Sequence, residues 1–229
     1  SDEGGCEGVV CTTQEDDVLA IRATDTILAS GGVGGLYERS TNFPCMTGDA
    51  CRICRVHGVA LEHMDYVQFY TSSTGRAFLI SESCRGEGAI LLNAKGERFV
   101  DELQPRDVVS AAVYRQMRED GLPFVRLSFE RIPRGVTCRH FRNIRERCLE
   151  EGYDICEGPI PVAPAQHYLM GGIRVDQDSR SSMEHLYAVG ETSCSGVHGK
   201  NRLASNSLLE SLVFSRLAAR DIVRRRHHA

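Results

Sequence analysis

No apolar run in this sequence approaches the roughly 20 residues that span a bilayer, and no basic-then-apolar stretch opens it. These two absences are read as a soluble, cytoplasmic protein that does not associate with membranes. The net charge is only −4. That excludes the strongly basic face of a nucleic-acid binder and an electrostatic membrane anchor. There is no internal repeat and no low-complexity segment. A disulfide framework is not expected either, because such frameworks belong to short secreted chains. The ten cysteines are read as free thiols in a reducing compartment. Also missing is any G-x-G-x-x-G between a strand and a helix, the turn that brings backbone under a pyrophosphate.

What is present suffices for a core: 229 residues, 41% of them hydrophobic, allow one large domain or two small ones. Val9–Thr12 and Val18–Ala23 flank a polar turn and read as a hairpin. Thr26–Ser30 reads as a buried strand running into Gly31-Gly32-Val33-Gly34-Gly35, where bare backbone permits a sharp turn or close approach to a ligand. A helix is expected from about Ala50 to Gly58. Asp49 before it suits an N-cap; its rival role is to accept a hydrogen bond from a sugar hydroxyl. Cys45, Cys51, Cys54 and His57 have a spacing that one helix face could offer to a metal. Packing of the cysteines as small hydrophobes is the preferred reading, and no metal is assigned. Polar and aromatic residues at 68–73, a strand at Ala89–Leu92, a turn at Asn93–Gly96, a helix from Arg106 to about Glu119, a strand at Val125–Phe129 and a helix from Phe141 to Gly152 follow. Pro159, Pro161 and Pro164 suggest an extended connector. Leu186–Glu191 reads as a buried strand ending in a carboxylate. Ser207 to Arg224 reads as an amphipathic helix opened by a capping box, Ser207 to Glu210. The fold class is mixed α/β and α+β, with one lobe from residues 1–65 and 169–229 and a second, inserted α+β lobe from 66–168.

Arg106 and Arg202 each follow a loop, and His167 follows the proline-rich stretch. Each taken singly is an ordinary ion-paired or surface residue. Taken together they suit a ligand with carboxylates, since arginine binds those in bidentate fashion. The helix start at Ser207 offers unpaired amides and partial positive charge, suited to an anion or an electron-rich ring. Glu191 suits either a polyol hydroxyl or a salt bridge to a nearby Lys or Arg.

Several runs go beyond this generic chemistry. His198-Gly199-Lys200-Asn201-Arg202-Leu203-Ala204-Ser205-Asn206-Ser207-Leu208-Leu209-Glu210 and His167-Tyr168-Leu169-Met170-Gly171-Gly172-Ile173-Arg174-Val175-Asp176 resemble signatures of the succinate dehydrogenase/fumarate reductase flavoprotein family. Ala29–Gly32, Thr47–Asp49, Arg85–Gly88 and Pro105–Val109 add to the resemblance, which covers about Val9 to Ile222. The Ala204–Glu210 variant, with Pro161–Pro164 before the histidine, is most similar to the L-aspartate-oxidising branch. The resemblance implies flavin adenine dinucleotide (FAD) as cofactor, contacted by Gly31, Gly32, Asp49, Glu191, Ser207 and Leu208. It implies a dicarboxylate substrate, L-aspartate, oxidised to iminoaspartate on the way to quinolinate and NAD, with oxygen or fumarate as acceptor. His167 and Arg202 would bind carboxylates, Arg106 would carry the proton, and Ser81 and Glu82 would stand beside the same site. An arginine in that role needs a desolvated, cation-crowded setting, because its unperturbed pKa lies above about 12.

Two departures from the family stand out. The family's Gln-Phe-His-Pro is Gln68-Phe69-Tyr70-Thr71 here, so a phenol replaces a carboxylate-binding imidazole; Tyr70 can donate one hydrogen bond but cannot become cationic near neutral pH. The dinucleotide fingerprint and the family's C-terminal helical domain are also absent. Both ends of the chain read as edges of a longer protein. The chain alone is therefore expected to be inactive and to hold little or no FAD, and an open sheet edge would favour a homo-oligomer. Two other readings stand: a fumarate reductase or succinate dehydrogenase flavoprotein, and a flavin-free, non-catalytic domain.

Overall fold

The computed structural model describes residues 4–74 and 77–228; residues 1–3 of the chain start, read above as an edge, lie outside the described residues. In chain order the elements are β1 (Gly8–Thr12), β2 (Val18–Arg22), β3 (Thr26–Leu28), α1 (Asp49–Val56), β4 (Leu61–Glu62), β5 (Val67–Ser73), α2 (Glu82–Gly86), β6 (Ile90–Leu92), α3 (Arg106–Asp120), β7 (Val125–Ser128), α4 (Arg134–His140), α5 (Arg142–Glu150), β8 (Ile160–Leu169), β9 (Gly172–Arg174), β10 (Leu186–Ala188), β11 (Ser193–Cys194) and α6 (Asn206–His228). They form two compact units. Unit 1 holds the chain up to Leu36, Pro44–Val67, and everything from Tyr168 onward; unit 2 holds Tyr37–Phe43 and Gln68–His167.

In unit 1, β1 and β2 pair antiparallel from Gly8↔Arg22 to Thr12↔Val18. The turn between them is set by the Thr13 hydroxyl, which accepts the amides of Glu15 and Asp17, both at 3.2 Å. β3 pairs parallel with β10. The expected buried strand at Thr26–Ser30 is shorter and more open than its composition suggests. β10 is its only strand partner among the described residues, and Ile27 stays 44% exposed. β11 and β4 flank β9, parallel and antiparallel respectively. Ala50, Cys51 and Cys54 of α1 pack with Val59, Ile173, Leu186 and Ala188. Burial pushes the Cys54 thiol up to about 11 and raises that of Cys51. Cys45 is exposed and outside this core.

α6 is fastened by a charge network. Asp221, 2% exposed, accepts from Arg180 Nε at 2.6 Å, from a second Arg180 nitrogen, from Arg224 Nη2 at 2.6 Å and from the Tyr187 hydroxyl at 2.9 Å. Tyr187 itself packs with Val189 and Ala218. A buried carboxylate is tolerated only when its acceptors are filled in this way.

Unit 2 carries a sheet of order β5-β8-β7-β6. β7 is antiparallel to both neighbours, with Val125↔Val162 and Leu91↔Leu127 in register. Its core joins Leu91, Leu127 and Val162 to Val109 and Val113 of α3, Cys84 of α2, Cys148 of α5 and Phe141 just before it. Val109 and Val113 are four residues apart, so they share one helix face. Two expectations fail here. The proline stretch is no connector but the first half of β8, a ten-residue inner strand. Ile160, Val162, Ala163 and Ala165 are buried, and that apolar burial outweighs the missing proline N–H groups. The polar run at 68–73 is β5, whose Gln68, Thr71, Ser72 and Ser73 are buried. Ser72 meets the requirement for a partner by donating to the Ala163 carbonyl at 3.1 Å. α2 and α4 carry no strong periodic signal and are not expected from the sequence; α2 is capped at its start by Ser81, whose Oγ accepts the Ser83 amide.

Asp221→Ala strips the acceptor from two arginines and a phenol. We expect it to lower the unfolding free energy by about 3–5 kcal/mol, read by urea denaturation at pH 7. The Arg180 hydrogen bonds hold the Asp221 pKa well below the usual carboxylate range. Its contribution is therefore present above the ordinary aspartate pKa of about 3.9 and lost as pH falls below it. The difference between wild type and Asp221→Ala should shrink with acidification below about pH 4; a difference under about 1 kcal/mol at pH 7 contradicts the assignment.

Candidate active site

In unit 2, Arg106 is the first residue of α3, directly after Pro105, whose extended backbone (φ −49°, ψ 149°) starts the helix. Its guanidinium is 8% exposed. It donates to Glu82 Oε2 from Nε (3.2 Å) and Nη2 (2.7 Å), and to Gln68 Oε1 from Nη1 (3.0 Å). Its plane lies over the Tyr70 ring, 4.4 Å from the centroid. Arg85, also buried, donates to the Tyr70 hydroxyl at 3.0 Å, lies 5.0 Å from the same ring and approaches Glu82 Oε1 at 3.7 Å. One phenol ring thus serves two cations. Burial pushes the Tyr70 pKa up to about 12, against the pull of the arginines, so its O–H stays protonated and can donate. The His167 ring centroid stands 5.9 Å from that of Tyr70, and its Nδ1 lies 2.9 Å from Thr41 Oγ1. The unit therefore gathers Arg106, Glu82, Tyr70 and His167. Ser81 adjoins them in sequence, but its hydroxyl is spent on the α2 cap and on Ser83 Oγ at 2.7 Å.

In unit 1, Arg202 is 4% exposed. Its guanidinium lies 4.4 Å from the centroid of the Tyr168 ring, and Nη1 reaches the Leu203 carbonyl (3.3 Å) and Ser207 Oγ (3.4 Å). The expected capping box is not formed. α6 begins at Asn206, and Glu210 does not reach back. Its carboxylate instead accepts from the Tyr168 hydroxyl (2.9 Å), His198 Nε2 (2.9 Å) and the Ser195 hydroxyl. Buried donors with no other acceptor outcompete one helix-end amide that water can serve. Asp49 is not an N-cap either. Gly48 takes the cap position in the left-handed region (φ 71°) with no side-chain cap bond, and the Asp49 carboxylate accepts from Thr47 Oγ1 at 2.9 Å and pairs with Arg52 at 3.3 Å.

Glu191 lies in a single 3-10 turn, Gly190–Thr192. Its Oε1 accepts the Leu169 amide at 2.9 Å, so the expected salt bridge is replaced by a backbone donor. Gly32 makes this possible: a Cβ there would lie 2.2 Å from Glu191 Oε1. Gly31 beside it is left-handed, φ 76°. Burial pushes the Glu191 pKa up to about 7, beyond what the Leu169 amide and Arg202 restore. Leu208, at the first turn of α6, is 69% exposed. An exposed apolar side chain at the positive end of a 23-residue helix, beside the Ser207 hydroxyl, fits the ring end of a flavin. The sequence holds no residues of the pyrophosphate fingerprint.

Gln68, Arg85, Tyr168, His198 and Glu210 were not singled out as site residues by sequence reasoning. All five stood inside the runs quoted above. A charged residue within a polar motif carries no mark of burial until its partners are known.

The raised Glu191 pKa has a defined consequence. The folded chain keeps a proton that the unfolded chain releases, so folding stability falls as pH rises from the usual glutamate range to about 7. Glu191→Gln keeps an acceptor for Leu169 and removes this penalty. It should be more stable than wild type by about 1–3 kcal/mol at pH 8 and by much less at pH 5, measured by urea unfolding of the flavin-free chain. A pH-independent difference refutes the assignment.

A family model described as FAD binding domain matches residues 1–208. The L-aspartate oxidase of Clostridium perfringens is 50% identical over 223 residues, covering 95% of this chain and 51% of that protein. That of Clostridium acetobutylicum is 46% identical over 228 residues, covering 97% and 52%. The chain spans about half the length of the curated relatives it matches. Among solved structures, E. coli quinol fumarate reductase superposes with a TM-score of 0.86 at 35% identity, over 95% of this chain and 42% of that one. With a glycine-rich strand exit, a half-buried carboxylate in the turn after β10 and a helix start all inside the matched span, the chain belongs to the FAD binding domain family.

Proposed function

We propose that this chain is part of an FAD-dependent enzyme that oxidises L-aspartate to iminoaspartate. The observation that carries the reading is the buried Arg106 held by Glu82, Gln68 and Tyr70, together with relatives named L-aspartate oxidase at 50% and 46% identity. In this reading unit 1 is part of the FAD-binding domain and unit 2 is the capping domain that carries substrate-binding groups. When bound, FAD supplies a two-electron acceptor for the hydride on the substrate α-carbon. Gly31, Gly32, Asp49, Glu191, Ser207 and Leu208 are the residues that hold it.

The chain's own residues bind the substrate and handle protons. Arg202 and His167 bind substrate carboxylates, Arg202 through the planar donor geometry of its guanidinium. Arg106 handles the proton at the reacting centre. Glu82, whose side chain is 44% exposed, bridges Arg106 and Arg85 and gives that proton a route toward water. Tyr70 adds one neutral donor where a cation would bind a carboxylate more tightly.

A second reading, reduction of fumarate or oxidation of succinate, is favoured by the TM-score of 0.86 to a fumarate reductase. Anaerobic addition of L-aspartate to the flavin-loaded protein separates the two: we expect bleaching of the flavin absorbance with L-aspartate and none with succinate. Bleaching by succinate alone overturns the L-aspartate assignment.

Tyr70→His places a group that becomes cationic near pH 6.5 where the phenol now stands. It should lower KM for L-aspartate about three- to tenfold at pH 6 and less at pH 8. An unchanged KM at both pH values contradicts a substrate-facing role for this position.

A further inference from the structure

One buried polar cluster has no part in the roles proposed above. Glu210 is 6% exposed. Its carboxylate takes hydrogen bonds from three residues of two segments: the Tyr168 hydroxyl at 2.9 Å near the end of β8, and, from the loop after β11, His198 Nε2 at 2.9 Å and the Ser195 hydroxyl. Burial pushes its pKa up, but the bonds from His198, Ser195 and Tyr168 more than offset this, and the carboxyl is held below its ordinary value. The Tyr168 phenol is pushed well above its ordinary value, by burial first and then by Glu210. The proton therefore stays on the phenol and points at the carboxylate. Such a phenol carries extra electron density in its ring, and the ring face attracts a cation more strongly for it. The cation is Arg202, 4.4 Å from the ring centroid.

We infer that Glu210 and Tyr168 are a positioning pair for Arg202: Glu210 fixes the phenol ring, and the ring face fixes the plane of the guanidinium. Stacking on a ring fixes the plane in which an arginine presents its N–H donors, and so the direction from which a carboxylate is met. His198 and Ser195 tie the segment that carries Arg202 to the same acceptor. The inference rests on reading Arg202 as a carboxylate-binding residue.

The test is a double-mutant cycle in the flavin-loaded protein. KM and kcat for L-aspartate are measured with Arg202→Gln, Tyr168→Leu, Tyr168→Phe, Glu210→Gln and the Tyr168→Leu/Arg202→Gln double variant. FAD affinity is followed by fluorescence as a second readout. We expect Tyr168→Leu to raise KM about tenfold and Tyr168→Phe and Glu210→Gln about threefold. The change in kcat should be smaller and the FAD affinity should stay within about twofold of wild type. In the double variant, Arg202→Gln should add at most about threefold to the KM of Tyr168→Leu. Tyr168→Phe keeps the ring and the packing, so it remains informative where Tyr168→Leu fails to fold. Independent, multiplicative effects of Tyr168→Leu and Arg202→Gln overturn the positioning pair, as does an unchanged KM in both Tyr168→Phe and Glu210→Gln. An unchanged KM in Arg202→Gln alone overturns the carboxylate-binding reading beneath it.

Discussion

Burying a guanidinium is what most of this structure is organised around. Arg85, Arg106 and Arg202 are 5%, 8% and 4% exposed, and a cation taken out of water needs oxygen acceptors or an electron-rich face to replace its hydration. Each is given both. Arg106 has Glu82, Gln68 and the Tyr70 ring; Arg85 has the Tyr70 hydroxyl and Glu82; Arg202 has the Tyr168 ring, a carbonyl and a hydroxyl. The two tyrosines are thus ligands for cations as much as core residues. A phenylalanine would preserve their packing and lose the hydroxyl contacts.

The carboxylates of unit 1 follow the same logic from the other side. Asp221 and Glu210 have three donor residues each and are held ionised. Glu191 has one amide and is pushed up to about 7. Donor number, more than burial alone, separates them: Asp221 is the most buried and the most acidic. Two of these groups are saturated structural hubs. The third sits beside Gly31 and Gly32 with its titration close to neutrality, where a bound polar group would change its state most easily.

Much of the fold was legible. The hairpin of β1 and β2, the start of α3 after Pro105, β7, β10 and the long α6 follow from periodicity and turn chemistry that act over a few residues. The failures are equally specific. β8 was mistaken for a connector because prolines are poor inner-strand residues, and only its neighbours β5 and β7 show that apolar burial prevails. β5 was missed because its serines and threonines look exposed until Ser72 is seen bonded to Ala163. Both misread caps share one cause. Asp49 and Glu210 have cap-like spacing, but Gly48 adopts the cap conformation and three buried donors claim Glu210.

The sequence by itself determined the family and the residue types that the site requires: arginines, a histidine, a strand-end glutamate and a glycine-rich strand exit, each inside a recognisable run. Tertiary structure decided what each charge is paired with. Arg106 meets Gln68 across 38 residues and Tyr168 meets Glu210 across 42. Spacing along a chain reports neighbours within a helix turn or along a strand. The energy of a buried charge is set by whichever donors, acceptors and ring faces the folded chain brings within about 3–5 Å, and no local pattern encodes that distance.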